Sequence, residues 1–327
     1  TQVLAFGAIF SALGFTLRGI LLDETSFILT GFIVGIGTGA CSFPVVIVAL
    51  GKVVEAKQRS FILGLGTAAA SAGMFAGAPL ATILMDMIGW GAAIFLVAAS
   101  FLIILPLLFF ISRASEKPTA HREQLHTIKA IKIAFSDRSY TLLFFGFFVC
   151  GFHVQFIQTH LPAYITDEGL APIIGAWSLA LIGLFNIGGS FLSGWAGQLY
   201  SKPKLLAGIY ASRAVVITIF IFTPLSEPSV LLFSAAMGIL WLSTVALTTG
   251  LVAQTQGLKF LSTLVGLVFF SHQVGGFLGA WLGGRLYDLT GNYQAMWIAA
   301  ILFGLAATII HLPIRDRPGK LAQAEIN

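Results

Sequence analysis

A few polar side chains lie inside long apolar stretches of this sequence, and they are the residues that could bind a solute or carry a proton. His153 is near the middle of the stretch 140–165, with Gln158 close by and His160 seven positions further on. An imidazole titrates near neutral pH, so His153 could accept a proton and, once charged, attract a carboxylate. Because the centres of the apolar stretches contain no Asp or Glu, we predict that His153 is a proton-binding group. The alternative is a neutral histidine that is hydrogen-bonded to a neighbouring helix.

Arg213 is a permanently charged side chain at the centre of another apolar stretch, 204–223. An unpaired arginine that faces lipid is costly, so we expect Arg213 to point toward other helices. Its planar guanidinium could there bind backbone carbonyl groups, a polar side chain or an organic anion. The sequence leaves open whether Arg213 joins helices or binds an anionic solute.

Other polar residues of the apolar stretches form a second group of candidates for solute binding. Trp241, Thr244 and Thr248 follow the spacing i, i+3, i+7, which places them on one face of a continuous helix. Their hydroxyl groups and indole could orient a ligand, and they could equally serve helix packing. The remaining members of this group are Asn186, His272 and Gln273.

The sequence lacks the patterns that would indicate catalysis or a bound cofactor. It contains no Gly-Lys-Ser/Thr phosphate loop, no His/Cys spacing typical of a metal site and no recognisable nucleophile–base pair. We therefore expect neither an enzyme nor a metal or cofactor site. Cys41 and Cys150 both lie in apolar stretches, which is typical of buried thiols rather than of a disulfide framework.

The composition indicates that these residues belong to a polytopic helical membrane protein. Hydrophobic residues make up 57% of the chain and charged residues 9%, and the mean hydropathy is +0.94. A soluble domain carries about 25% charged residues, so this chain has too few to cover a water-facing surface. A membrane-spanning helix needs about 20 apolar residues. Such spans are predicted at about 2–20, 27–50, 60–85, 90–111, 140–165, 172–198, 204–223, 229–254, 262–286 and 293–312.

Glycines recur at every fourth position in the span 262–286, and a shifted copy of the pattern occurs earlier in the chain. An offset of 202 positions pairs Gly73 with Gly275, Gly77 with Gly279, Asp86 with Asp288 and Gly89 with Gly291. Small residues at this spacing let helices pack closely. We therefore interpret six residues as packing or gating positions: Gly73, Gly77, Pro79, Gly275, Gly279 and Gly283. Arg285 and Asp288 are predicted to form a gating or capping pair. A parallel duplication of this kind is typical of secondary transporters.

The charged loops predict the orientation and the division of the chain. Basic loops, such as 113–138, alternate with loops that carry mainly acidic residues, and basic loops are expected in the cytoplasm. We predict a first transmembrane module at 1–112, a linker with a short amphipathic helix at 113–138, a second module at 139–313 and a cytoplasmic tail at 314–327. The offset places the counterparts of the second module's first two spans before residue 1. We therefore expect an intact protein with two further spans and both termini in the cytoplasm; a true ten-span protein is the alternative.

Several stretches resemble the major facilitator superfamily, whose members transport solutes with two bundles of six helices. Gly73, Gly77 and Pro79 are similar to the Gly/Pro-rich motif of its fifth helix. The run 194–204 resembles a degraded Gly-x-x-x-Asp-Arg loop that has kept its basic end. The runs GGRLYDLTGNY, SHQVGGFLG and FFVCGFHVQFIQTHLPAYITDEGL are similar to the monocarboxylate-transporter-like branch, especially its bacterial members.

The resemblance implies an all-α major facilitator fold that lacks its first two helices and works by alternating access. It implies a monomeric secondary transporter of the inner (plasma) membrane that moves a small organic anion, a monocarboxylate with proton coupling. Mammalian members of the branch carry an Asp/Arg pair in the helix that corresponds to 172–198, where this chain has only Asn186 as its most polar residue. Proton-coupled lactate transport is therefore not carried over, and this departure leaves a small organic anion as the substrate class that the resemblance implies.

The main alternative is proton-driven efflux of drugs or metabolites, which the fifth-helix glycine pattern favours. A channel would not need a duplicated rocking architecture, and a membrane enzyme would need a polar catalytic cluster that the sequence does not show. The net charge of +5 follows the alternate loops, so it indicates membrane orientation and not binding to nucleic acid.

Overall fold

The computed structural model describes residues 2–42, 45–46, 59–108, 124–257, 259–319 and 321–323. These residues are almost entirely helical, and none of them forms a strand. They belong to two compact units, Thr1–Ala120 and His121–Asn327. The all-α fold class predicted from the apolar spans is thereby confirmed. Parts of the predicted span 27–50 and of the predicted linker 113–138 lie outside the described residues.

The first unit contains three helices, α1 (Gln2–Ile20), α2 (Glu24–Ala40) and α3 (Arg59–Leu102). Asp23 begins α2 as its N-cap, with Oδ1 accepting the backbone N–H of Ser26 at 2.9 Å. Small residues bring α1 and α2 close together, because a Cβ placed on Gly7 would lie 2.8 Å from the carbonyl oxygen of Gly37.

The third helix is too long for one span, and it breaks where the sequence predicts a turn between spans. Its 44 residues would extend about 66 Å as one straight helix, roughly twice the hydrocarbon thickness. The break is at Gly89, whose φ of 80° and ψ of 161° are not helical. The residue paired with it by the 202-residue offset, Gly291, also has a positive φ, 71°, and ends a helix. The internal repeat is therefore visible in the backbone as well as in the sequence.

The second unit contains the remaining helices. Several begin with a recognisable cap: Asp137 precedes α5, Ser226 forms a capping box at α8, and prolines open α6, α7 and α8. The short helix α4 lies inside the predicted linker, where an amphipathic helix is expected. The helices are α4 (Gln124–Ser136), α5 (Arg138–Asp167), α6 (Pro172–Leu199), α7 (Lys202–Phe222), α8 (Glu227–Leu240), α9 (Ser243–Gln256), α10 (Leu261–Thr290) and α11 (Gln294–His311).

One predicted span differs from the structure. The stretch 229–254 is expected to be a continuous helix, but it is interrupted at Trp241–Leu242 and forms the two helices α8 and α9. The other spans of the second unit are single helices.

The described residues include eight helical segments that are long and apolar enough to cross a membrane, with α8 and α9 counted together as Glu227–Gln256, and Glu24–Ala40 is a shorter apolar helix. Large hydrophobic side chains are exposed along them; Phe191, Phe222 and Leu232, for example, are each more than 70% exposed. Exposed apolar side chains on such helices are suited to contact with lipid. The protein is therefore a multi-pass membrane protein.

Candidate functional site

The closest helix contact of the second unit joins α5 and α10 through their glycines. A Cβ on Gly275 would overlap the carbonyl oxygen of Phe148, and one on Gly279 would lie 2.5 Å from that of Phe152. The contact is reciprocal, because a Cβ on Gly151 of α5 would overlap the carbonyl oxygen of His272 on α10. The two backbones touch, and this contact fixes His272 beside α5.

The same stripe continues toward the end of α10. Gly283 faces the imidazole of His160, whose Nε2 lies 2.8 Å from the carbonyl oxygen of Ala280. Gly276, one position from the tightest contact, lies over Gln155, and its Cβ would be an ordinary 3.5 Å from Cβ of Gln155. The glycines therefore place His160 and Gln155 of α5 directly against α10.

The remaining residues predicted to act in packing or gating lie in more open surroundings. Gly73 and Gly77 have no atom of the described residues within 4 Å of an added Cβ. Pro79 lies inside α3, two residues after Gly77. Arg285 and Asp288 are both exposed near the end of α10. Their gating or capping role stays a prediction.

Two predicted site residues bind the backbone groups at the break between α8 and α9. Arg213 is fully buried, and its Nε and Nη2 donate to the carbonyl oxygen of Leu240 at 3.2 and 2.7 Å. Nη2 also donates to the carbonyl oxygen of Trp241. On the other side of the break, Oδ1 of Asn186 accepts the backbone N–H of Leu242 at 2.9 Å. These bonds replace the helical hydrogen bonds lost at the interruption, which lets the break persist in an apolar environment.

The break changes the arrangement expected for Trp241, Thr244 and Thr248. Because Trp241 ends α8 while both threonines belong to α9, the three do not share one face of a continuous helix. All three are buried. Thr244 Oγ1 lies 3.2 Å from Sγ of Cys150, which joins α9 to α5. Thr248 Oγ1 has no hydrogen-bond partner among the described residues.

His153 is sealed inside the second unit. Its ring is fully buried, its Nε2 lies 2.7 Å from the carbonyl oxygen of Ala300, and its Cε1 would be 3.4 Å from a Cβ on Gly304. A carbonyl oxygen only accepts, so Nε2 carries the hydrogen and Nδ1 is left as the basic nitrogen. Nδ1 is buried and has no partner among the described residues. This geometry matches a neutral histidine bound to a neighbouring helix, and a role in proton binding stays a prediction.

An accessible group of polar side chains lies on α5 and α10, and we call it the polar patch. On α5, Gln158 and Thr159 are exposed, and Nε2 of the partly exposed Gln155 donates to Oγ1 of Thr159 at 3.0 Å. On α10, the partly exposed His272 and the exposed Gln273 are joined by a 3.2 Å bond from Nδ1 to Oε1. These two bonds each lie within one helix, and the two helices meet where Gly276, one turn from His272, lies over Gln155.

The polar patch can supply hydrogen bonds and one titratable group. Because the amide oxygen of Gln273 accepts from Nδ1 of His272, Nε2 is the nitrogen that can take a proton. The ring of His272 lies 5.1 Å from that of Phe147 on α5. The amides and the hydroxyl can bind a carboxylate or a hydroxyl group of a small solute.

Gln155 is the member of the patch that sequence reasoning missed. Its spacing to Gln158 and Thr159, i, i+3 and i+4, places the three on one helix face, and this signal could have identified it. Within the described part of the chain, no group of three His, Cys, Asp or Glu side chains is placed to hold a metal ion.

Comparison with known sequences identifies a family. The sequence model of the Major Facilitator Superfamily matches residues 1–280. An uncharacterised transporter of this type from Bacillus subtilis, YcxA, is 28% identical over 182 residues, 54% of this chain and 44% of its own length. This chain therefore spans less than half of that relative. Monocarboxylate transporter 13 of Rattus norvegicus is 27% identical over 340 residues, which cover 95% of this chain and 73% of the transporter.

A hexuronate transporter of Bacillus subtilis is more distant, with 24% identity over 80% of this chain and 67% of its own length. Among solved structures, a variant of the Escherichia coli fucose:proton symporter FucP superimposes with a TM-score of 0.65 at 16% sequence identity. That match covers 95% of this chain and 82% of the symporter. At this identity the structural likeness bears on the fold alone.

Proposed function

The chain belongs to the major facilitator superfamily, and we propose that it acts in secondary transport of a small organic solute, a monocarboxylate that crosses together with a proton. The observation that carries this proposal is the polar patch. Polar side chains at membrane depth are costly when they face lipid, so those not packed inside their own bundle are expected to line a water-filled path. Gln158, Thr159 and Gln273 are such side chains.

His272 is the histidine of this site best suited to exchange a proton with a passing solute. It is partly exposed, its Nδ1 is held by Gln273, and its Nε2 is the nitrogen that can be protonated. Protonated, it would attract a carboxylate to the adjacent amides. His153 is the candidate favoured by the sequence, but its ring has no exposed surface. We therefore propose His272 as the coupling group and keep His153 as the alternative.

Arg213 and Asn186 have a supporting role in this proposal. Their polar atoms hold backbone groups at the break between α8 and α9, so we assign them to positioning α9 rather than to solute contact. Thr244, which α9 presents to Cys150, lies behind the patch and not on its accessible side. Trp241 and Thr248 are buried in the same way.

The named relatives favour a carboxylate as the solute, because those that cover most of this chain are called monocarboxylate transporters and one more is called a hexuronate transporter. Location in the plasma membrane, cytoplasmic termini, a monomeric state and the modules 1–112 and 139–313 are part of the same proposal.

The test is uptake into proteoliposomes that contain the purified protein. Radiolabelled lactate, pyruvate and larger organic acids are supplied with and without an inward proton gradient, and protein-free vesicles are the control. Saturable uptake of an acid that the gradient stimulates is the expected result. No uptake of any acid, with export of an unrelated dye or metabolite from inverted vesicles, would replace the monocarboxylate proposal with efflux.

A further inference from the structure

The chain that follows α11 crosses the ends of three other helices, and we call residues 314–319 the strap. The backbone N–H of Arg315 donates to Oγ of Ser139 at the start of α5, at 3.1 Å. Oδ2 of Asp316 accepts the backbone N–H of Lys202 at the start of α7, at 3.2 Å. The strap is thereby bound to two helix starts.

The strap binds the end of α9 as well. The backbone N–H of Gly319 donates to the carbonyl oxygen of Thr255 at 2.7 Å, and Nε2 of Gln254 donates to the carbonyl oxygen of Asp316 at 2.8 Å. Two further bonds fix the same end: Lys202 Nζ donates to Oε1 of Gln254, and Gln256 Nε2 donates to Oδ2 of Asp137, at 2.8 and 2.9 Å. The last turn of α9 is therefore held by polar bonds outside the helix.

The opposite end of α9 is a discontinuity. Arg213 binds the carbonyl oxygens of Leu240 and Trp241, and Asn186 binds the N–H of Leu242, so the backbone groups at the break have partners that do not require α8 and α9 to be one helix. A helix interrupted in this way has a point about which one half can rotate. α9 is a half-helix of 14 residues, about 21 Å long.

We propose that the strap is a latch: it holds the far end of α9, and its release lets α9 move as a unit about the break at Trp241–Leu242. The latch consists of hydrogen bonds at its contacts with α5, α7 and α9, and such bonds exchange readily for bonds to water at an exposed helix end. A cavity of about 320 Å³ borders Asp137, Gln256 and Gly319, so the seat of the strap is not close-packed.

The latch bears on transport through Thr244. This residue lies in α9 just beyond the break, and it contacts Cys150, whose neighbour Gly151 touches the backbone of His272 of the polar patch. Movement of α9 would change that contact and with it the surroundings of His272. This link to transport rests on the proposed function, whereas the latch itself does not.

Glycine at position 319 gives a way to open the latch with one methyl group. A Cβ there would lie 2.7 Å from Oδ2 of Asp137 and 2.9 Å from the carbonyl oxygen of Thr255, so Gly319→Ala should push the strap away from both. Gly208→Ala in α7 is the matched control, because no atom of the described residues lies within 4 Å of its added Cβ.

The measurement is hydrogen–deuterium exchange of the purified 327-residue chain, followed by mass spectrometry of peptides from α8, α9 and α10. In Gly319→Ala, exchange within α9 should accelerate about tenfold, the change expected from losing one or two ordinary hydrogen bonds, while α8 stays at the wild-type rate. Gly208→Ala should leave all three helices unchanged. Asp316→Ala, which removes the acceptor for Lys202 without adding bulk, should also accelerate α9.

Two results would overturn the latch. Unchanged exchange of α9 in both Gly319→Ala and Asp316→Ala would show that the strap does not hold this helix. Equal acceleration of α8 and α9 would show that the two move together and that the break at Trp241–Leu242 is not a hinge. Because no solute is present, neither result depends on whether the protein carries a monocarboxylate.

Discussion

The two copies of the glycine motif have the same spacing but different surroundings. On α10, a Cβ at Gly275 or Gly279 would run into the backbone of α5. On α3, the corresponding Gly73 and Gly77 have no atom of the described residues within 4 Å of that position. The partner of the second copy is α5.

This difference shows that glycine spacing permits close packing of helices but does not by itself produce it. Glycines at every fourth position create a smooth helix face, but close contact requires a second helix that presents its backbone there. At α10 the partner is present, and it brings His272 against Gly151. At Gly73 and Gly77 of α3, no atom of the described residues takes that place.

The largest effect is expected from adding a methyl group inside the tight contact. Gly275→Ala should lower the free energy of unfolding by about 3 kcal/mol, because its Cβ meets the backbone of Phe148 rather than a movable side chain. The matched control is Gly276→Ala, which meets Cβ of Gln155 at an ordinary 3.5 Å. Both are measured by denaturant unfolding in mixed micelles. Equal losses for the neighbouring glycines would contradict a backbone contact at this position.

At the helix-ending glycines the two copies should behave alike. Gly89 and Gly291 have φ values of 80° and 71°, which disfavour any residue with a Cβ. Alanine at either position should therefore lower the free energy of unfolding by about 1–2 kcal/mol, although nothing packs against either glycine in the described residues. The same unfolding assay applies. A neutral Gly89→Ala beside a costly Gly291→Ala would show that the repeat does not extend to this turn.

A smaller effect of opposite sign is expected on α3. In the 327-residue chain, Gly73→Ala should raise the free energy of unfolding by up to about 1 kcal/mol, because alanine favours the helix and its methyl group meets nothing within 4 Å. The comparison with Gly275→Ala is made in one assay. A loss at Gly73 as large as at Gly275 would mean that α3 already has a tight partner.

The smallest effect concerns how helices of the two units begin. Hydrogen bonds from Ser26 lower the pKa of Asp23, the N-cap of α2, below its ordinary value of 3.8, whereas α8 begins with the uncharged Ser226. A lowered pKa means that the folded state favours the carboxylate. The stabilisation is therefore present above about pH 4 and is lost as the pH falls below it. Asp23→Ser should show a weaker loss of thermal stability than the wild type between pH 5 and 3.

The spans, the repeat and the superfamily could be predicted from the sequence, because apolar length and glycine spacing are local signals. The interruption at Trp241–Leu242 could not, since no proline marks it and the stabilising groups, Arg213 and Asn186, come from other helices. The sequence does predict that Arg213 binds carbonyl groups or an anion, but only the structure identifies those carbonyls.

Which of the two histidines can bind a proton also depends on contacts between helices, which the sequence does not show. His153 and His272 both lie within apolar spans, and the sequence favours His153 because it is near the centre of its span. Whether a ring nitrogen is used by a carbonyl of another helix depends on tertiary packing. The carbonyl of Ala300 on α11 binds His153, whereas the neighbouring Gln273 binds His272 and leaves it partly exposed.

The proposal that His272 couples transport to proton movement is tested most directly by comparing His272→Gln with His153→Gln in proteoliposomes that accumulate a labelled monocarboxylate. Accumulation driven by a proton gradient is measured beside solute counterflow, which needs no net proton movement. If His272 is the coupling group, His272→Gln loses gradient-driven accumulation and keeps counterflow, while His153→Gln keeps both. Gradient-driven accumulation that survives in His272→Gln and is lost in His153→Gln would contradict the assignment of His272 as the coupling group.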